Sequence, residues 1–576
     1  MKENTFIACA AFVMVVLYLL VYRIHPHEYG EMARFVGDDA LIYFEQHDKT
    51  DWLDRFTTSR FGKRLADIKF NKTCSKIGLS ASFCKKTEHI LSSLKKPEYK
   101  NFVKQILGEK IVVAVLPPLK SRSYEDPIEF IKLNSLLIAQ PRQKITETQV
   151  NILATYPVLH GAKVISVQYG NHKIYRILAE NMKLFMVSID GFLIIGSNEY
   201  ILRHSIDLYD AQTSTLAQSK IFMTMKESFK KPTRFFYIPV DHLRTFLTKT
   251  TEHLDFGYKK IFLKELKTTA GFKNFAYGAW QMKHQVNDKI VVQYDRSSIN
   301  RLVAKHFATL PSKCSMFSLI SEKPIMYYWS NSFNFHHFLP YIKGKDSFIA
   351  KSGFLAQLEV AAGMSLDDFF TLLGREVSFV MESGNVDEGL PIPTLVIFIK
   401  SSDILKIRST FEKILLAHDT VMIKKRYGPL LYFYWAQSLH DGLQLIYGFW
   451  GNKLILSNSS KLLRKVADRS IAGKTLFDYP VMKKLNPGIQ FDNNSITYTK
   501  NGEIFQIVRR SLNLIAAAVA VQDREKAFKL RTIIEEIITP FMDGAKMYDT
   551  SVTRSFFSDG QVVIETRTLV KDNHLP

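Results

Sequence analysis

Gly473-Lys474-Thr475 carries the tail of a phosphate-binding loop. Such a loop wraps phosphate in backbone N–H groups and needs a leading glycine where this chain has Asp468, so the cradle cannot close. His25, His27 and Glu28, in the run HPHEYGE, have the types of metal ligands, but two histidines at a headgroup boundary also simply face water. His336 and His337 are adjacent and point about 100° apart on a helix, unlike the i, i+4 pair of a zinc protease. Gly78-Leu79-Ser80-Ala81-Ser82 has only the first half of a nucleophile elbow. Asp367 and Asp368 are neighbours and read as a helix cap or face, not as an acid/base couple. The sequence therefore predicts no catalytic, cofactor-binding or metal-ligating residue. A triad gathered from distant Ser, His and Asp stays compatible with it.

Aromatic and sulfur chemistry remain. Phe, Tyr and Trp make up 12% of the chain, with clusters at Tyr327-Tyr328-Trp329, Tyr432-Phe433-Tyr434-Trp435 and Phe449-Trp450. Strand alternation sends half of each cluster to each side of a sheet; the favoured reading is a large aromatic core in a two-layer fold, and the alternative is an apolar groove for an acyl chain or a partner's segment. Of four cysteines, Cys9 lies in an apolar run and Cys314 stands alone. Cys74 and Cys84 are ten positions apart and could close a disulfide in an oxidising compartment, or stay as thiols.

The elements that carry these residues occur twice. Ile106-Leu107-Gly108 followed by Ile111–Val115 answers Leu372-Leu373-Gly374 followed by Val377–Met381, each read as a helix end, a left-handed glycine cap and a strand. The strands Leu136–Ala139 and Leu395–Phe398 correspond, each followed by a helical pattern, at Thr146–Leu153 and Ile404–Leu416. Leu193–Asn198 answers Leu454–Ser459: a strand, a small polar N-cap cluster and a helix, entered by hairpin turns at Asp190-Gly191 and Gly451-Asn452. Phe235–Ile238 answers Ile496–Thr499, and Asp288–Val292 answers Asp559–Val563. Ala40–Phe44 matches Pro324–Tyr328. Long helical stretches fall near Leu243–Lys267 and Ile507–Met542, and the apolar Leu512–Val521 reads as a buried helix. The expected class is α+β with largely antiparallel sheet, in two homologous halves at 36–310 and 311–576.

Ahead of the halves, Thr5 to Tyr22 (TFIACAAFVMVVLYLLVY) has no charge. At about 1.5 Å per residue it just crosses a hydrocarbon core of about 30 Å. It ends in Tyr22-Arg23-Ile24-His25-Pro26, bulky and charged where signal cleavage needs small residues. The reading is a four-residue tail, a signal-anchor over 5–22 and a juxtamembrane linker over 23–35. Lysine and arginine near the anchor barely decide its orientation, but a short leading tail before a long body suits export. A net charge of +22, scattered rather than blocked, favours anionic surfaces and gives nucleic acid no concentrated stripe.

Asp38–Phe44, Phe56–Lys63, the glycine-to-strand steps at Gly108 and Gly374, and the strand at Leu193 resemble a bacterial family of anchored or secreted proteins defined as a domain of unknown function. The resemblance spans most of residues 36–570 and implies an extracytoplasmic place with no reaction attached. Three functions fit. The first is a non-enzymatic, membrane-anchored envelope protein that binds or scaffolds a partner. The second binds a lipid or other amphiphile in an apolar groove. The third is a hydrolase. The expected partners are the membrane, through residues 5–22, and an envelope protein or lipid; no cofactor is expected.

Overall fold

The computed structural model describes residues 32–47, 58–68, 73, 76, 107–108, 110–118, 127–141, 163–179, 182–211, 214–252, 259–282, 284–344, 353–383, 392–417, 421–435 and 443–571. The anchor, His25, His27, Glu28, the Gly78–Ser82 run, Cys74, Cys84 and the helical pattern at Thr146–Leu153 lie outside them. The described chain is mixed helix and antiparallel sheet. It divides into two units. One holds the residues up to Asn300 together with Phe528–Ala545; the other holds Arg301–Ala527 and Lys546–Lys571.

In the first unit the strands are β1 (Ile42–His47), β2 (Lys110–Val115), β3 (Ser135–Ala139), β4 (Lys163–Tyr169), β5 (His172–Ala179), β6 (Met182–Ile189), β7 (Phe192–Gly196), β8 (Arg234–Pro239), β9 (Phe272–Met282) and β10 (Gln285–Tyr294). Antiparallel pairing sets the order β4-β5-β6-β7-β3-β2-β1-β8-β9-β10. The turn between β6 and β7 has positive φ at both central residues, Asp190 and Gly191, the twist a two-residue hairpin demands. The helices used below are α1 (Arg60–Ala66), α2 (Pro127–Asn134), α3 (Glu199–Ala211), α4 (Lys220–Glu227), α5 (Val240–Glu252) and α6 (Lys259–Thr268). Ser59 caps α1 by accepting from the Gly62 amide at 2.9 Å. Met32–Phe35, at the end of the stretch read as linker, form a 3-10 turn with Met32, Ala33 and Phe35 buried.

The second unit has β11 (Met326–Ser330), β12 (Leu373–Glu382), β13 (Thr394–Ser401), β14 (Met422–Tyr427), β15 (Leu430–Trp435), β16 (Ile446–Trp450), β17 (Lys453–Ser457), β18 (Ser495–Lys500), β19 (Tyr548–Ser558) and β20 (Gln561–Val570). Their order is β14-β15-β16-β17-β13-β12-β11-β18-β19-β20, strand for strand that of the first unit. The register agrees as well: Tyr43 faces Ala114 and Tyr237, and Tyr327 faces Val380 and Tyr498. The helices are α7 (Phe354–Ala362), α8 (Leu366–Leu372), α9 (Ile404–Ala417), α10 (Ser460–Ile471), α11 (Pro480–Leu485) and α12 (Asn501–Gln522). In both units the strand after the second hairpin leads to a helix, α3 or α10. A 3-10 turn entered by a threonine and then a short helix follow.

The sheet of the second unit buries both faces. Tyr327, Trp329, Val396, Phe398, Tyr432 and Ile455 pack with Leu462, Leu463 and Val466 of α10 and Met482 of α11. On the opposite face Ile399, Tyr447, Phe449 and Leu454 pack with Phe369 of α8 and Ile407 and Phe411 of α9.

Four sequence expectations need correction. Leu136–Ala139 corresponds to Val396–Ile399, one residue on from the expected Leu395–Phe398. Gly374 is the second residue of β12 and is not left-handed; Gly108 is, at φ +60°. A side chain at Gly374 would sit 2.5 Å from the Lys400 carbonyl oxygen, so close strand approach demands glycine there. The last strands match five residues differently from the expected Asp288-to-Asp559 pairing. Gly278 faces Lys289 as Arg554 faces Glu565, which sets Gln285-Val286 against Gln561-Val562. Leu512–Val521 is not a buried helix. It belongs to the 22-residue α12, in which Ala516 alone is buried.

Candidate ligand cleft in the second unit

The face carrying Tyr447 is incompletely filled. Helix α7 ends at the left-handed Gly363, φ +65°, and the chain re-enters a helix at once as Ser365 accepts from the Asp368 amide at 3.1 Å. The tight turn holds α7 and α8 over β14–β17, with α9 alongside, and a cleft of about 490 Å3 opens beneath them. That size falls within the roughly 300–1,000 Å3 of small-molecule sites. Leu355, Leu358, Phe369, Phe411, Met422 and Trp435 are among its walls. Among its walls Tyr447 stacks on Phe411 at 4.7 Å and 16°, and also on Phe433 of the neighbouring strand at 4.8 Å and 8°. Phe369 meets Phe411 edge-on at 6.2 Å.

Glu359 and Thr410, two polar groups at the cleft, already have partners. Glu359 accepts from the Leu366 amide at 2.7 Å and from Lys343 at 3.0 Å. These two bonds, the amide first, hold its carboxyl below the ordinary range. Thr410 donates to the Lys406 carbonyl at 2.8 Å. Burial pushes the Tyr447 phenol up to about 12, so it stays neutral. No charge in the cleft awaits a counter-charge, and what it can do chemically is bury apolar surface. The mouth says the same. Trp435 and Leu445, both lining residues, are 41% and 67% exposed, and Leu416 and Val421, each next to a lining residue, are 79% and 72% exposed.

A second constellation is of catalytic type but sealed. Along β1, Tyr43, Glu45 and His47 share one face. Glu45 accepts from the Tyr43 hydroxyl at 2.8 Å, stands 2.6 Å from His47 Nε2 and ion-pairs with Lys226 of α4. The Glu45, His47 and Lys226 side chains are 3–4% exposed, with the Phe222 ring 5.6 Å from the ammonium. Burial pushes the Glu45 carboxyl up, but Lys226 and His47 outweigh it and hold the carboxyl well below its usual range. With all three charged or titratable side chains nearly out of contact with solvent, the arrangement is that of a buried ion pair.

The residues singled out in the sequence take ordinary places. Gly473, at φ +66°, ends α10, and the Thr475 amide donates to Asp478 in the turn that follows, so the phosphate-loop tail is helix punctuation. Asp367 and Asp368 stand in the first turn of α8, where an N-terminus favours carboxylates. His336 Nε2 is 3.6 Å from Asp367, and its Nδ1 is 3.3 Å from Asn334. Cys314 is buried beside Tyr327, its thiol pushed up to about 12 by burial. Of the aromatic clusters, Tyr327, Trp329 and Tyr432 enter the core, while Phe433 and Trp435 alternate onto the cleft face. The sequence did not single out the helical wall, Leu355 to Phe411. Its signal was an apolar excess on α7, whose FLAQLEVAA run has more greasy residues than one packing face uses.

No family model matches the chain, and no curated protein matches it. Among solved structures, crystal forms I, III and IV of TP0453 are similar at 11–12% identity and TM-scores of 0.22–0.24, over 47–49% of this chain and 81–83% of theirs. Likeness at that level bears on neither fold nor function.

Proposed function

We propose that this chain is a membrane-tethered, extracytoplasmic binding protein whose second unit takes the apolar chain of an amphiphile into the cleft under α7, α8 and α9. The observation that carries the reading is a cavity of about 490 Å3 walled by apolar and aromatic side chains and rimmed by exposed Trp435 and Leu445. Burying about ten methylenes contributes on the order of 8 kcal/mol before the cost of immobilising the ligand, which sets the affinity at micromolar or weaker. The uncharged run over 5–22 supports the tether, and the strand order shared by the two units supports their origin in one duplicated α+β half, as in the resembling envelope family.

Trp435 provides the test. In the full-length protein, a fatty acid brominated along its chain is expected to quench tryptophan emission saturably, and Trp435→Phe to remove most of that quenching. Met422→Lys, which brings a charge to the wall, is expected to weaken binding at least tenfold with near-UV circular dichroism unchanged. Equal quenching in wild type and both variants would sink the reading, since the chain would then be adsorbing elsewhere.

A further inference from the structure

The helix after β18 differs from its counterpart in a way the shared fold does not require. After β8, α5 exposes Thr245 and Lys249 and sends Phe246 onto Phe130 at 4.5 Å. After β18, α12 runs 22 residues with only Ala516 buried, and it is long and apolar enough by composition to cross a membrane. Val508, Leu514, Ile515 and Val521 are 37%, 49%, 52% and 88% exposed. At about 100° per residue, Ile507, Leu514, Ala518 and Val521 fall within about 40° of the side opposite Ala516, with Glu503 and Ser511 among them and Ile504, Arg510 and Gln522 at the margins, so the outward face is largely apolar toward its C-terminal half.

We infer that α12 lies in the surface of an anionic bilayer, with this outward face sunk between headgroups and acyl chains. Its charges fit a surface and not a span. Between Ile504 and Gln522 the only charged residues are Arg509 and Arg510. They shorten the uncharged run to 511–522, about 18 Å of helix, well under the roughly 30 Å of a hydrocarbon core. Lys500 and Lys526 at the two ends are ion-paired, with Glu503 at 3.4 Å and Asp523 at 3.0 Å. Of the two arginines, Arg510 stands at the margin of the outward face while Arg509 lies about 20° from Ala516 on the inner side; no carboxylate occurs between 504 and 522, and guanidinium is suited to lipid phosphate. The net charge of +22 draws the whole chain to the same kind of surface. An interfacial helix of this type binds by buried apolar area plus attraction to anionic lipid.

The experiment reconstitutes the full-length chain into vesicles of phosphatidylcholine alone, or mixed in equal parts with phosphatidylglycerol, with and without lipid brominated near the headgroup. Val521→Trp is expected to emit blue-shifted light in the mixed vesicles and to be quenched by brominated lipid several-fold more than the wild-type tryptophans. The effect is expected to shrink in pure phosphatidylcholine and in high salt. Arg510→Gln is expected to weaken the dependence on phosphatidylglycerol while circular dichroism stays as in wild type. Water-like, unquenched emission from V521W in both vesicles would overturn the inference. So would a blue shift that grows with protein concentration and ignores bromine, which would assign the face to a second copy of the chain. The fatty-acid test of the cleft reads Trp435 and is independent of either result.

Discussion

Glu45 sits mid-strand in β1 and Lys226 on α4, 181 residues apart and both out of water. Removing one partner strands a buried charge, which costs more than the pair contributes. Lys226→Met is expected to lower stability by about 3–5 kcal/mol in denaturant titration, while Glu45→Leu with Lys226→Met recovers most of the loss. The pH dependence follows from the direction of the shift. A carboxyl held below its unfolded value of about 4.3 contributes stability above that pH, and the contribution fades as pH falls further. Acid titration is thus expected to destabilise wild type more steeply below about pH 4 than Glu45→Gln. Equal slopes would show that the pair does not govern acid sensitivity. Glu45 was legible only as an oddity, one acid in the run Leu41–His47; its partner is set by a helix far along the chain, which no local pattern encodes.

At the level of elements, local rules carried much of the fold. Hairpin residues and N-caps placed β6–β7 and β16–β17 because turn geometry is chosen by the residues inside it. The blocks around Leu193 and Leu454 match residue for residue, while Leu136 faces Gly196 as Val396 faces Ser457, one residue on from the expected match of Leu136 to Leu395. What failed was long-range. The β9–β10 match slipped because both segments read Asp-x-x-Val-Val, but Asp288 is the fourth residue of β10 whereas Asp559 lies in a turn, and a five-residue offset inverts the alternation. Gly374 looked like a cap because the clash that selects it comes from Lys400 on the next strand. Two substitutions separate these causes. Gly353 is left-handed, φ +69°, with open space around it, so Gly353→Ala is expected to cost about 1 kcal/mol. Gly374→Ala keeps an allowed backbone but drives a methyl into the Lys400 carbonyl. Its expected cost is about 1–3 kcal/mol, together with faster hydrogen exchange at Ser402, whose amide bonds to Leu372 at 3.0 Å. Unchanged exchange at Ser402 would mean that the strands absorb the methyl without parting.

Across the described residues, the two units share one strand order. The second has a cleft with an apolar rim and an outward-facing apolar helix, and both place its greasy surface where solvent alone would not favour it. Specific filling of the cleft and adsorption of lipid on α12 predict different patterns of protection. A ligand that binds only the native state at a hundred times its Kd stabilises that state by about 2.7 kcal/mol. In full-length protein held in bilayer discs, adding a long-chain fatty acid is expected to slow hydrogen exchange in α7, α9 and β16, the elements that carry Leu355, Phe411 and Tyr447. Exchange in β1 and β8 of the first unit is expected to stay as it was. Met422→Lys is expected to abolish the protection in the second unit while exchange along α12 keeps the value set by the bilayer. Slowing confined to α12, or spread evenly over both units, would mean that the chain meets apolar ligands on its surface and that the cleft holds none.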